Sequence, residues 1–264
     1  RIDEQESMAV PKIKLEGVTK SFGDNHVLKG VDLEVADGES MVLIGGSASG
    51  KTLILKLILG LEKPDSGSIQ IDGVETTSLD SKAQEILLHR MGMLFQQSAL
   101  FDSMPIWENV AFQLLQDHKL TREQSKQIAI DKIVSVGLTP DVGELLPAEI
   151  SGGMQKRVGF ARAIANEPEI VLLDEPTAGL DPIMTNVIGE LILKGVQELG
   201  ATTFSITSDM KGAKQVADNI AMIYDGKIIW CGPTANVDNS GNEYLDQFIH
   251  NRAEGPIKMA ITAA

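Results

Sequence analysis

The stretch Gly45-Gly46-Ser47-Ala48-Ser49-Gly50-Lys51-Thr52 constrains this chain more than any other. It fits the spacing G-x-x-x-x-G-K-[ST] of a phosphate-cradling loop. Its flanks agree with that reading. Met41–Ile44 is short, apolar and strand-like, and Leu53–Leu61 carries apolar residues at helical spacing. The loop therefore joins a buried strand to a helix N-terminus, where backbone N–H groups and the helix dipole face an anion. Lys51 supplies a point charge for the β- and γ-phosphates, and the Thr52 hydroxyl a ligand for Mg²⁺. The bland alternative is a Gly/Ser-rich turn that matches by chance, and both flanks argue against it.

At 264 residues with an ordinary apolar fraction of 43%, the chain has room for one large α/β domain or two small ones. No apolar run reaches the roughly 18 residues that a membrane-spanning helix needs. The lone Cys231 excludes an internal disulfide framework and suits a reducing compartment. Arg1–Ser7 is charged and has no apolar h-region, so no signal peptide is expected. A formal charge of −14 argues against nucleic acid as a partner and against docking flat on anionic lipid. At a membrane, another protein is expected to hold it. The same charge equally serves solubility.

Lys12–Val18 and Val27–Val35 alternate as strands around a turn at 20–25, and Asp37-Gly38-Glu39 turns into the strand before the loop. Phe22, on that first turn, is placed either to stack on an adenine ring or to pack locally. Ile69–Ile71 reads as a strand, Ser81–His89 as a helix, and Met91–Phe95 as a buried strand ending in Gln96-Gln97. From Ser98 to Gly159 the pattern is mainly helical, with Trp107–Leu115 and Arg122–Val136 apolar at i, i+3, i+4. This is a helical subdomain inserted into an α/β core.

Ser151-Gly152-Gly153-Met154-Gln155 precedes a helix read as Lys156–Ala165. Small residues at a helix start make either a second anion-ready terminus or a plain N-cap. Ile170–Leu173 runs into Asp174-Glu175, which reads as a buried strand with two acids at its C-terminal end. Parallel α/β sheets place ligands there. Asp174 suits a Mg²⁺ ion, held directly or through water, and Glu175 suits a water-orienting base. Two surface acids after a strand is the plainer alternative. Ala178–Asp181 turns into a helix at Ile183–Leu199, Thr202–Thr207 is a further core strand, and Val216–Ile223 and Lys227–Trp230 flank the turn Asp225-Gly226. A short helix is expected at Tyr244–Asn251.

These motifs, in this order and over roughly residues 13–232, resemble the ATP-binding cassette (ABC) ATPases. Phe22 matches the A-loop aromatic, Gly45–Thr52 Walker A, and Gln96 the Q-loop. Ser151–Gln155 matches the signature, Asp174 and Glu175 match Walker B and the catalytic glutamate, and Ala178–Asp181 the D-loop. The resemblance implies an α/β P-loop NTPase core with a mixed, mainly parallel sheet, an antiparallel β subdomain at the N-terminus and an inserted helical subdomain. It implies one ATPase domain over 1–264. Its parts are an N-terminal β and core segment at about 10–97, helices at about 98–160, more core at about 161–235 and an extension at about 236–264. ATP and Mg²⁺ are the implied cofactors, with Thr52, Gln96 and Asp174 at the metal. Two copies would pair head to tail, so that Ser151, Gly152 and Gly153 of one complete the ATP site of the other, with Asp181 in the contact. Hydrolysis would drive an integral membrane permease through the Q-loop and helical insert. Met104, Ile106 and Trp107 are candidates for the groove that receives it, or equally for core.

SGGM at 151–154, Ile229–Thr234, and the end from Asn242 to Ile257 are similar to the ATPases of Mla/MCE phospholipid transporters. That implies phospholipid movement between inner and outer membranes from the cytoplasmic face of the inner membrane. An MCE-domain protein and, in some systems, a STAS-domain subunit would be partners. Two positions depart from the family. Ala48 stands where glycine is usual, and Ser208 stands where a switch histidine is usual. None of His26, His89, His118 and His250 is near Ser208 in sequence. A transport ATPase and a nucleotide-gated module with negligible hydrolysis therefore both stand at this point, as does another cargo. A soluble translation or repair protein fits less well, for want of a second cassette or a long heptad tract.

Overall fold

The computed structural model describes residues 10–116 and 119–258. The expectation of no signal peptide at Arg1–Ser7, and His118, lie outside these residues. β1 (Ile13–Phe22) and β2 (Asn25–Val35) form an antiparallel hairpin, continued by β4 (Ser66–Ile71) and β5 (Val74–Glu75) in the order β2-β1-β4-β5. β1 runs on through residues 20–22, which the sequence placed in the turn; only Gly23 and Asp24 turn.

The second sheet has the order β10-β9-β3-β8-β7-β6, built from β3 (Ser40–Ile44), β6 (Met91–Leu94), β7 (Ile170–Asp174), β8 (Thr202–Thr207), β9 (Asn219–Tyr224) and β10 (Lys227–Pro233). The five strands from β9 to β6 all pair in parallel, and β10 is antiparallel on β9. β7 and β8 are buried along their whole length, as parallel strands covered on both faces must be.

The helices are α1 (Lys51–Ile58), α2 (Ser81–His89), α3 (Ile106–Val110), α4 (Phe112–Gln116), α5 (Arg122–Ser135), α6 (Gly152–Ile164), α7 (Pro182–Leu199), α8 (Met210–Val216) and α9 (Glu243–Ile249). β7 shows how the core divides. Leu172 joins α1 and the antiparallel sheet, with Ile13, Leu15, Ile54 and Phe204. Val171 and Leu173, on the opposite face, join α3, α5, α6 and α7 through Ile106, Ile133, Phe160 and Ile188. A third cluster gathers Val42, Ile44, Ala213, Val237 and Leu245, so the C-terminal segment packs on the far side of β3 and β9.

Three details differ from the sequence reading. The helix expected at 107–115 is two, α3 and α4, with Ala111 between them. α6 begins at Gly152, so the small residues form its first turn; Ser151 caps it, its hydroxyl accepting from Met154 N at 3.3 Å. α8 fills Met210–Val216, which the sequence reading left unassigned up to its strand-bearing segment at Val216, with the Asp209 side chain as its N-cap.

Candidate nucleotide site

The Gly45–Thr52 loop leaves the C-terminal end of β3 and enters α1, as its flanks predict. A side chain at Gly45 would lie 2.6 Å from Ile223 O and 2.9 Å from Ser49 Oγ; at Gly50 it would meet Leu28 at 2.8 Å, on backbone at φ +100°. Only glycine fits either place. Lys51 is buried, and its ammonium donates to Gly45 O at 2.7 Å and Gly46 O at 2.9 Å, folding the loop around it. Burial lowers the Lys51 pKa, and the charges of Glu175 and Asp174 oppose that shift. Ala48 stands at φ +59°, the left-handed region that glycine tolerates and alanine resists.

A cleft of about 290 Å³ opens over the loop, lined by Phe22, Val27, Lys51 and Thr52 among others. Phe22 is half exposed at the end of β1, with the Lys20 ammonium 5.4 Å from its ring centroid. An exposed aromatic face and the Gly45–Thr52 loop share one cleft, where a ring can stack on Phe22.

Asp174 ends β7 and is buried; burial first, then the neighbouring Glu175 charge, raises its pKa. Its Oδ1 and the Ser49 hydroxyl are both buried without a hydrogen-bond partner. Buried polar atoms are ordinarily satisfied. An orphan carboxylate oxygen and an orphan hydroxyl flanking a lysine suit a hydrated cation and a phosphate.

Glu175 lies at φ +44°, just past the strand, with its amide on Ile206 O at 2.9 Å. Its Oε2 accepts from the Thr207 hydroxyl at 3.1 Å, Ser208 N at 3.1 Å and Ser208 Oγ at 3.4 Å. Ser208 thus faces the glutamate from the place where a histidine is usual. Thr207, which the sequence reading passed over, is the better placed hydroxyl; it also accepts from Asp209 N at 3.0 Å. Its one sequence signal was its place at the end of β8.

The exposed Gln96 follows β6, and its carbonyl accepts from the buried Lys156 ammonium. Ser151, Gly152 and Gly153 do not line the P-loop cleft; the first two are exposed at the start of α6. Asp181 caps α7, its Oδ1 accepting from Ile183 N at 2.9 Å and Met184 N at 3.0 Å. Two of the three groove candidates prove to be core. Ile106 and Trp107 are buried in the apolar cluster of the helical insert, because α3 turns that face to α5 and α6. Arg122 and Lys126 cover the Trp107 ring at 4.8 and 5.1 Å. Met104 is half-buried.

Comparison with known proteins agrees with this geometry. The family model described as ABC transporter matches residues 28–178. The probable ribonucleotide transport ATP-binding protein mkl of Mycobacterium leprae is 38% identical over 94% of this chain and 71% of its own. The intermembrane phospholipid transport system ATP-binding protein MlaF of Haemophilus influenzae is 34% identical over 95% of both chains. A solved dimer of the ATP-binding cassette MJ0796, in a post-hydrolysis state with ADP and Pi, superposes with a TM-score of 0.77 at 31% identity, over 84% of this chain and 98% of that one. Among the described residues no helix is long and apolar enough to cross a membrane. The chain belongs to the ABC transporter family, as an ATP-binding subunit that hydrolyses ATP with Mg²⁺, pairs with a second cassette and works with a membrane permease.

Proposed function

We propose that the chain powers phospholipid transport between the inner and outer membranes of a bacterial envelope. It sits on the cytoplasmic face of the inner membrane, with an integral permease, an MCE-domain protein and, in some assemblies, a STAS-domain subunit. The observation that carries this reading is the end-to-end match to the phospholipid-transport relative, 95% of each chain. The relative named for ribonucleotide transport supports a second reading, another cargo on the same motor.

The residues take these roles in the proposal, within one ATPase domain over 1–264. Phe22 stacks on adenine. The backbone N–H groups of Gly45, Gly46, Ser47, Ala48, Ser49 and Gly50, with Lys51, hold the phosphates. Thr52, Gln96 and Asp174 hold Mg²⁺, which when bound neutralises charge on the phosphate oxygens. Thr207 and Ser208 fix Glu175 Oε2, which leaves Oε1 to accept the proton of the attacking water. Ser151, Gly152 and Gly153 serve the partner cassette's phosphate, with Asp181 in the contact between the two. The helix dipole of α6 points its positive end outward for that task.

Purification from detergent-solubilised membranes tests the cargo. The expected result is an MCE-domain protein and a permease in the complex, with phospholipid identified by mass spectrometry. A different substrate-binding subunit and no lipid would overturn it. Lys51→Ala tests the site: phosphate release by the complex is expected to vanish and nucleotide binding to weaken. Unchanged turnover would remove the loop from the reaction.

A further inference from the structure

Lys156 stands on the second turn of α6, five residues beyond the Ser151 cap, and is 6% exposed. An ammonium that deep needs acceptors to offset its lost hydration. It finds two, and both are main-chain carbonyls of segments far apart in sequence. One is Gln96 O, a short contact. The other is Glu175 O at 3.5 Å, which also accepts from Ala178 N at 3.1 Å. One cation on α6 therefore touches the backbone of the Q-loop and of the glutamate that follows β7.

The same helix grips the Q-loop segment further along. A side chain at Gly159 would lie 2.8 Å from Leu94 Cδ1 and 3.1 Å from Ser98 Cβ, so its absence lets α6 approach the end of β6. Arg162 donates to Ser98 O at 2.6 Å and Ala99 O at 2.8 Å. Ser98 and Ala99 have φ of +61° and +45°. The buried Lys156 and the half-buried Arg162 thus hold three carbonyls of this stretch. Only Lys156 also reaches Glu175.

We propose that Lys156 is a positioning residue for hydrolysis: through Gln96 O and Glu175 O it ties the signature-bearing helix to the Q-loop and to the glutamate's backbone in the same cassette. The inference rests on the roles given to Gln96 and Glu175 above. Movement of α6 when a partner's nucleotide engages Ser151 would reach both residues through one side chain. Both bonds Lys156 makes are to main-chain carbonyls and not to the side chains that hold Mg²⁺ or the phosphates, so its loss acts on the orientation of the site more than on nucleotide affinity.

The test measures kcat, KM for ATP, nucleotide affinity and melting temperature of the assembled transporter carrying Lys156→Met, Lys156→Arg or the native chain. Lys156→Met is expected to lower kcat about 10- to 100-fold, the scale of a displaced catalytic group, with affinity and KM within about 2-fold. Lys156→Arg, which keeps the charge and donors, is expected to recover part of the rate. Should Lys156→Met fail to accumulate, Lys156→Gln is measured the same way. An unchanged kcat, or a loss in which rate, affinity and melting temperature fall together without rescue by arginine, would overturn the proposal. Glu175→Gln and Gln96→Ala run in parallel: if they leave the rate intact the site reading itself fails, whereas low rates there beside an unaffected Lys156→Met sink only the inference.

Discussion

Ala48 carries a strain that can be measured. At φ +59° an L-residue costs about 1–2 kcal/mol relative to glycine's freedom, while glycine costs about 0.4–1 kcal/mol more to order from the unfolded chain. The first effect is larger. Ala48→Gly is therefore expected to stabilise the fold by about 0.5–1 kcal/mol, read as a higher denaturant midpoint at unchanged slope. A lower midpoint would mean that the loop relaxes the strain elsewhere. Ser208 poses the parallel question in catalysis. Its amide and the Thr207 hydroxyl already hold Glu175 Oε2, so the glutamate is anchored without a histidine. What serine cannot do is reach a γ-phosphate with a charged ring. Loss of one preorganised contact of that kind lowers kcat by ~10²–10³. Ser208→His is expected to raise kcat of the complex about 10-fold or more at saturating ATP, with ATP affinity little changed. No increase would show that Thr207 and the main chain suffice. The serine was legible from the motif order alone. Its compensation was not, because a hydrogen bond from Thr207 to a residue 32 positions away leaves no trace in spacing.

Elements were read best where burial imposed a period. β3 and β7 are apolar on both faces, and α7 runs from the Asp181 cap and Pro182 to Gly200 at φ +62°, so their ends are written in the sequence. α8 was missed because its seven residues bury only Ala213 and show no apolar stripe; the Asp209 cap was its one signal. Ile106 and Trp107 fit both a groove wall and a core until α3 was seen packed on α5 and α6. Ion pairs between elements were invisible too. Glu169, at the edge of β7, accepts from Arg90 Nε at 3.0 Å and Lys12 Nζ at 2.7 Å, and Arg90 and Lys12 also meet Asp72. That knot joins β1, the β4–β5 turn, the end of α2 and β7. Arg90, then Lys12, holds the Glu169 carboxyl at about 2, below its usual 4.5. A depressed carboxyl stabilises the fold above the unfolded-state value and loses that contribution as pH falls through the folded one. Glu169→Gln is thus expected to lower stability above about pH 5, with the difference from the native chain shrinking between 4.5 and 2. Denaturant titrations across that range check it. Because the group is half exposed, added salt shrinks the difference as well.

At the scale of the whole molecule, the roles proposed for Ser151, Gly152 and Gly153 leave the site on one cassette incomplete. The cleft over the P-loop has Phe22 and Lys51 in its wall but none of Ser151, Gly152 or Gly153; these form the N-terminus of α6, where Ser151 and Gly152 are exposed. On that reading the helix end and the cleft over the P-loop are complementary halves, and a second cassette would close each cleft with the other's Ser151–Gly153. ATP then contributes binding free energy to both surfaces, and dimer affinity becomes dependent on nucleotide. Hydrolysis removes the shared γ-phosphate and with it the contacts that hold the halves together. A variant that binds ATP but cannot activate water is therefore expected to stay closed. Glu175→Gln is suited to this, since it keeps the side chain's shape, and its amide oxygen can still accept from the Thr207 hydroxyl and Ser208 N. With ATP and Mg²⁺ the variant is expected to sediment as a dimer, to separate into monomers when ATP is replaced by ADP, and to release little phosphate. The native chain is expected to dimerise only transiently under the same conditions. A variant that stays monomeric with ATP, both alone and beside its permease, would show that Ser151–Gly153 do not complete a partner's site, and the two-cassette reading of α6 would have to be given up.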